Sequence, residues 1–325
     1  MRILVTGGAG YIGAHVVRLL RQRGDHVVIV DDLVTGDAGR VPDVRIEQLD
    51  LVEPASVERV AALLADEAID AVLHFAARKQ VLESVERPAW YYQQNVAGLA
   101  NLLLAMERAG VSRFVFSSSA AVYGSATGSA IHEDAHAVPV NPYGETKLVG
   151  EQLVGDVSRA TGLSAVSLRY FNVAGTGWPE LADRAVLNLV PMVIERIENG
   201  ESPLIFGDDY ETPDGTCVRD YVHVLDLAEA HLAAVDRTEA GRPGHTVYNV
   251  GTGEGTSVLS MVEAILAVSG SAVRPLVAPR RAGDASIVVA SPAKIQRELG
   301  WRAHHGLDEI VASAWNAHAA WSAGV

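Results

Sequence analysis

The chain has 325 residues, of which 49% are hydrophobic, 20% charged and 6% aromatic, enough for a sizeable core and one or two domains. Its net charge of −14 disfavours binding to nucleic acid or an anionic membrane through a broad basic surface, and no apolar run reaches the ~18 residues of a membrane span. The single cysteine, Cys217, excludes an internal disulfide and a cysteine-based metal centre, and reads as a small buried filler.

In chain order, Ile3–Thr6 is expected as a buried strand that runs straight into Gly7-Gly8-Ala9-Gly10-Tyr11-Ile12-Gly13. The amino terminus shows no secretory leader pattern, so the cytoplasm is the expected location. Gly13–Arg23 reads as a helix, with Ile12, Val16, Leu19 and Leu20 on one face. There follow a strand at Val27–Val30, a helix at Ser56–Ala65, a strand at Ala71–Phe75 and a helix at Val96–Ala109 stopped by Gly110. Arg113–Ser117 is a strand, Lys147–Thr161 a helix and Ala165–Arg169 a strand. This rhythm is that of βαβ units, and the continuous apolar runs suit a parallel sheet covered by helices on both faces.

After Asn172 the rhythm loosens. Trp178–Arg184 reads as loop, Ala185–Asn199 as helix and Pro203–Tyr221, rich in Gly, Asp and Pro, as mostly loop. Val224–Ala234 is helical, Val247–Val250 is a short strand able to rejoin the sheet, and Val258–Ser269 and Pro292–Leu299 are helical. The expected division is a first domain over residues 1–172, to which segments such as 222–251 return, and a smaller second domain over 173–325.

The glycine loop satisfies G-x-G-x-x-G from Gly8 and also the spacing Gly7, Gly10, Gly13. Alone that pattern is weak; between a strand and a helix it acquires physical meaning. Glycines let backbone approach a pyrophosphate, and the helix start turns free N–H groups toward it. Asp31 and Asp32 end the second strand, about 20 residues further on, where an acid accepts from an adenosine ribose and repels the extra phosphate of NADP. NAD is the expected cofactor. Asp50, after the third apolar run, is placed near the adenine.

Tyr143 and Lys147 are spaced i, i+4 and share a helix face. A tyrosine ordinarily ionises near ~10. A lysine cation and a positive nicotinamide both favour the phenolate, making a base suited to a sugar hydroxyl while hydride leaves the same carbon. Ser119, in Ser117-Ser118-Ser119, can share or relay that proton.

These residues resemble the extended short-chain dehydrogenase/reductase superfamily and, within it, the UDP-glucose 4-epimerase family. The resemblance runs through Val5 to Gly13, His74-Phe75-Ala76-Ala77, Phe116 to Gly124, Pro142-Tyr143-Gly144, Leu168 to Asn172, Asp214-Gly215-Thr216, Val218 to Val224 and Ala278 to Asp284. It implies an α/β fold, a Rossmann-type doubly wound parallel sheet with a smaller carboxy-terminal UDP-sugar domain, and a homodimer packed through helices such as Val96–Ala109 and Lys147–Thr161. It implies catalysis by Ser119, Tyr143 and Lys147. It implies NAD contacts from Gly7, Gly10, Tyr11, Ile12, Gly13, Asp31, Asp32, Asp50, Leu51, Phe75, Ala76, Lys79, Asn95 and Tyr170, besides Tyr143 and Lys147. Substrate contacts are implied for Ser119, Tyr143, Asn172, Asn188, Leu189, Arg219, Arg281, Asp284 and Val288. Arginine suits a diphosphate because its planar fork matches two oxygens. The implied reaction inverts the carbon-4 hydroxyl of UDP-glucose or UDP-galactose through a 4-keto sugar. Val288 stands where some family members carry a bulky Tyr, which would leave room for an N-acetyl group. The stretch from Gly177 to Val186 is shorter than in the family and lacks its usual Gly-Glu.

Alternatives stay open at this level: an epimerase of uronates or pentoses, a dehydratase, a reductase, or a non-catalytic NAD-binding protein on the same fold. Dehydratases place Asp-Glu directly after the catalytic hydroxyl, where this chain has Ala120 and Ala121. His132-Glu133-Asp134-Ala135-His136 matches H-E-x-x-H, but that motif binds zinc only on a helix, and its surroundings read as loop. No metal is expected. His304-His305 reads as solvated surface.

Overall fold

A computed structural model describes residues 1–126, 128–281 and 283–322. Ala282, within the Ala278 to Asp284 motif, lies outside the described residues.

The alternating pattern becomes one seven-stranded sheet. Its spatial order is Gly244–Val250, Ser164–Tyr170, Arg113–Ser117, Ala71–His74, Arg2–Thr6, His26–Asp31 and Arg45–Gln48. Every pairing from Ser164–Tyr170 across to Arg45–Gln48 is parallel. Arg2–Thr6 lies between the strands that follow it on either side, with Thr6 opposite both Val30 and His74. The strand order reverses there, and sheets of this kind hold their ligands at that reversal. The order and the covered parallel strands are those of a Rossmann-type sheet.

The contacts divide the chain into two units. The first comprises Met1–Gly124, Ala137–Arg169 and Ala228–Tyr248; the second comprises Ser125–His136, Tyr170–Leu227 and Asn249–Val325. The first unit buries Leu4, Val28, Val72 and Phe114 from its strands against Leu63, Leu64, Leu99, Leu102 and Val154 from its helices. The second has a core of its own, in which Val193, Ile197, Met261, Ile265, Ile310 and Val311 pack together. Its four-stranded sheet runs Thr256–Ser257, Val218–Arg219, Ile287–Ala290, Gly128–Ile131.

Several boundaries differ from the sequence expectation, each for a local reason. The helix expected from Lys147 starts at Pro142, whose fixed φ and absent N–H suit a first turn, with Asn141 Oδ1 accepting from Gly144 N at 2.9 Å. The helix expected from Ala185 starts at Leu189, because Asp183 takes the Ala185 N–H and the Asn188 side chain into a turn instead. Pro203–Tyr221 is mostly loop, as expected, with the short strands Leu204–Phe206 and Val218–Arg219 within it. The helix expected at Val96–Ala109 is regular only from Gly98, and Gln93–Ala97 forms a wider π turn before it. The helix Leu307–Ser322, absent from the sequence expectation, turns Leu307, Ile310, Val311, Ala314 and Trp315 toward the second unit's core.

Candidate active site

In the first unit the glycine loop is fixed by sterics. Gly7 has φ +70°, and a Cβ there would lie 2.6 Å from Ala76 N. A Cβ at Gly13 would lie 2.2 Å from Gly7 O. The helix Tyr11–Gln22 starts directly after Gly10, and Ala14 N donates to Gly10 O at 2.9 Å, which leaves the first-turn N–H groups outside the helical ladder. Tyr11 is buried, and its carbonyl accepts from His15 Nδ1 at 2.8 Å; Ile12 is half-buried beside it.

The two adjacent acids do different things. Asp31 is buried and accepts from Ala9 N at 3.0 Å and from Leu33 N at 2.9 Å. Burial raises its pKa, and those two N–H groups oppose the rise. The bond to Leu33 holds that residue at φ +58°, a conformation leucine seldom adopts. Asp31 thus braces the glycine loop. Asp32 accepts from Val34 N at 3.0 Å with one oxygen and pairs with the Arg78 guanidinium through the other.

Of the other expected cofactor residues, Phe75 N and Ala76 N both donate to Thr6 O, at 2.9 and 3.2 Å, which folds the chain across the end of the first strand. Asp50 accepts from Val52 N at 3.1 Å, and buried Leu51 accepts from Ser56 Oγ at 2.7 Å and Asn101 Nδ2 at 2.8 Å. Lys79 is exposed. Asn95 is buried, bonds both backbone groups of Arg78 and donates to Thr146 Oγ1 at 3.0 Å. The residues fit a dinucleotide: a loop without room for side chains at Gly7 and Gly13, an uncapped helix start, and a half-buried acid at Asp32.

The three serines part ways at the end of strand Arg113–Ser117. The Ser117 carbonyl accepts from Lys147 Nζ at 2.8 Å. The Ser118 hydroxyl donates to Glu151 Oε1 at 2.5 Å. Ser119 caps the short helical turn Ala120–Tyr123, its hydroxyl accepting from Ala121 N at 3.1 Å. Tyr143 is buried in the first turn of Pro142–Thr161, with its ring centroid 6.0 Å from Lys147 Nζ. Burial lowers the Lys147 pKa to about 8, against the opposing charge of Glu151. The structure therefore gathers Ser119, Tyr143 and Lys147 within the first unit. Sequence reading missed Glu151 and Arg169. The signal for Glu151 was its place one turn beyond Lys147 on the same face.

In the second unit, Arg219 and Val288 are register neighbours on adjacent parallel strands, and the Arg219 guanidinium lies 3.7 Å from Asp284. The Arg281 guanidinium sits 3.8 Å above the Phe206 ring. Asn188 immediately precedes the helix begun by Leu189 and donates to Asp183 Oδ2 at 2.8 Å. Tyr170 is half-buried, and exposed Asn172 donates its N–H to Asp220 O at 2.9 Å. Asp220 is fully buried and accepts from Thr252 N, Gly253 N and Ala290 N, fixing the loop after Asn249. Residues 132–136 form a turn rather than a helix, with Ala135 N donating to His132 O and Glu133 accepting from Asn249 N. His305 departs from the solvated reading: it lies 2.8 Å from buried Asp226 and stacks on His223 at 4.4 Å.

Residues 3–251 match the NAD dependent epimerase/dehydratase family. The UDP-glucose 4-epimerase of Corynebacterium glutamicum is 44% identical over 320 residues, spanning 97% of this chain and 95% of that protein. A solved UDP-glucose 4-epimerase from Stenotrophomonas maltophila, with bound NAD and formylated UDP-arabinopyranose, is 41% identical with a TM-score of 0.94 over 100% of both chains. The Brucella ovis UDP-glucose 4-epimerase in complex with NAD is 39% identical with a TM-score of 0.92, over 97% of each chain.

Proposed function

This chain belongs to the NAD dependent epimerase/dehydratase family, and on that premise we propose how its residues divide the work of an NAD-dependent 4-epimerase that interconverts UDP-glucose and UDP-galactose. The observation that carries the division is the convergence of Ser119, Tyr143 and a buried Lys147 in the same unit as the glycine loop.

NAD, when bound, supplies a reversible hydride acceptor. Gly7, Gly10 and Gly13 admit its pyrophosphate, the start of helix Tyr11–Gln22 offers N–H groups to it, and Asp32 takes the ribose. Tyr143 removes the proton from the carbon-4 hydroxyl and later returns it. Lys147 lends the positive charge that favours the phenolate, and Ser119 shares the proton. Arg219 and Arg281 hold the diphosphate while the 4-keto sugar turns about its link to it. Asn172, Asn188, Leu189 and Asp284 complete the nucleotide contacts. Ala120 and Ala121 leave no acid pair for elimination, which favours epimerisation over dehydration.

A finer reading concerns the sugar. Val288 is half-buried next to Arg219 in register, and its small side chain supports acceptance of N-acetylated UDP-sugars as well. We also read the protein as a cytoplasmic homodimer. Among the described residues no helix is long and apolar enough to cross a membrane.

The test is conversion of UDP-galactose to UDP-glucose by the purified protein with no NAD added, run in parallel with UDP-N-acetylglucosamine. Conversion of the first is expected, and Tyr143→Phe should abolish it while NAD stays bound. No turnover of the acetylated sugar beside brisk turnover of UDP-galactose would sink the reading of Val288. An active Tyr143→Phe would sink the proton-transfer assignment.

A further inference from the structure

Ser119 sits in a short segment gripped on both sides by one buried ion pair. Immediately before it, Ser118 is fully buried and donates to Glu151 Oε1 at 2.5 Å. Four residues after it, Tyr123 Oη accepts from Arg169 Nη1 at 2.9 Å, and the guanidinium carbon lies 4.9 Å from the Tyr123 ring centroid. Glu151 and Arg169 are joined fork to fork: Arg169 Nε lies 2.9 and 3.2 Å from the two carboxylate oxygens, and Nη2 lies 2.6 Å from Oε2. Both are buried, Arg169 on the strand beside Arg113–Ser117 and Glu151 on the helix of Tyr143 and Lys147.

The helix and the serine segment therefore meet through two successive rungs. Lys147 reaches the Ser117 carbonyl at 2.8 Å, and Glu151, one turn further along, reaches the Ser118 hydroxyl. Side chains four apart on a helix are separated by about 6 Å of rise, and successive residues of the chain by about 3.8 Å. Two rungs on neighbouring residues fix both the register and the angle of the segment against the helix, which one bond cannot do. A buried pair is costly to desolvate, so its net contribution to stability is small, and what it does here is join the two segments it bonds.

We propose that Glu151 and Arg169 are positioning residues for the epimerisation: together they clamp the segment from Ser118 to Tyr123 onto the helix of Tyr143 and Lys147, and so set Ser119 for proton transfer. This rests on the assignment of Ser119, Tyr143 and Lys147 given above. Neither Glu151 nor Arg169 is assigned a contact with substrate or cofactor; they act through Ser118 and Tyr123.

Glu151→Gln leaves Arg169 buried without its countercharge and can fail to fold, so the decisive variants are Ser118→Ala and Tyr123→Phe, which each remove one hydroxyl and leave the ion pair whole. The measurement is kcat and KM for UDP-galactose on folded chains with bound NAD counted, with Tyr143→Phe as the reference. Ser118→Ala and Tyr123→Phe should each lower kcat about tenfold or more, with KM within about twofold of the parent. A part played only in folding would instead lower the yield or melting temperature and leave kcat per loaded chain unchanged. Full kcat in both variants beside an inactive Tyr143→Phe overturns the clamp and leaves the underlying assignment standing. An active Tyr143→Phe overturns both.

Discussion

Lys147 is held as a cation where burial disfavours one. Its pKa is lowered from the ordinary 10.5 to about 8, with burial the larger cause and Glu151 opposing it. Between those values the unfolded chain keeps a proton that the folded chain has lost, so this group's contribution to stability grows as pH rises from about 8 toward 10.5. Below about 8 both states hold the proton and the burial cost is felt in full. On the proposed division of work catalysis runs the other way, since there it is the cation that favours the Tyr143 phenolate. Turnover should therefore decline as pH is raised through about 8, and Lys147→Met should lose about 100-fold or more of kcat together with that alkaline limb. A pH–rate profile of both proteins checks this; an unchanged limb in the variant would assign it elsewhere. The same scale shows why adjacent residues resist reading. Asp31 and Asp32 looked equivalent in sequence, yet one binds the amides of Ala9 and Leu33 and the other meets Arg78. Successive side chains of a strand point to opposite faces, and which face meets the glycine loop is decided by neighbours far along the chain.

The helix Pro142–Thr161 is the element on which the candidate site depends, for it carries Tyr143, Lys147, Glu151 and the N-cap at Asn141. The apolar pattern marks it only from Lys147, although the i, i+4 spacing of Tyr143 and Lys147 already asks for an earlier start. The structure resolves the conflict: Pro142 opens the first turn, and Asn141 satisfies the Gly144 N–H. Asn141→Ala should cost about 1 kcal/mol of unfolding free energy. Because the cap lies two residues from Tyr143, turnover should fall along with it. Denaturant unfolding and kcat measured on the same preparation check this, and a variant as stable as the parent would show that the cap is dispensable. The glycine loop was fully legible, since its turn chemistry is local. The π turn Gln93–Ala97 was not, because a widened turn has no period of its own; it places Asn95 on the backbone of Arg78 and on Thr146.

For the molecule as a whole, the proposed homodimer has a physical handle. Leu104 is 48% exposed on the helix Gly98–Ala109, a large apolar side chain on an element read as part of the dimer contact. Sedimentation velocity at micromolar concentration should give twice the single-chain mass, and Leu104→Glu should shift it toward one chain; a single-chain mass for the parent would overturn the reading. Short-range information was enough for the sequence by itself to determine the βαβ rhythm, the glycine loop and the Tyr143–Lys147 pair, because period, turn chemistry and helical spacing act over a few residues. Tertiary structure alone decided which serine faces which partner, that Glu151 and Arg169 join Ser118 to Tyr123, and that Ser125–His136 belongs to a unit other than that of its flanking sequence. Ser118 and Glu151 stand 33 residues apart, and Tyr123 and Arg169 stand 46 apart. Such pairs meet only because the sheet sets Arg113–Ser117 beside Ser164–Tyr170, an order fixed by packing the whole core and by no local preference.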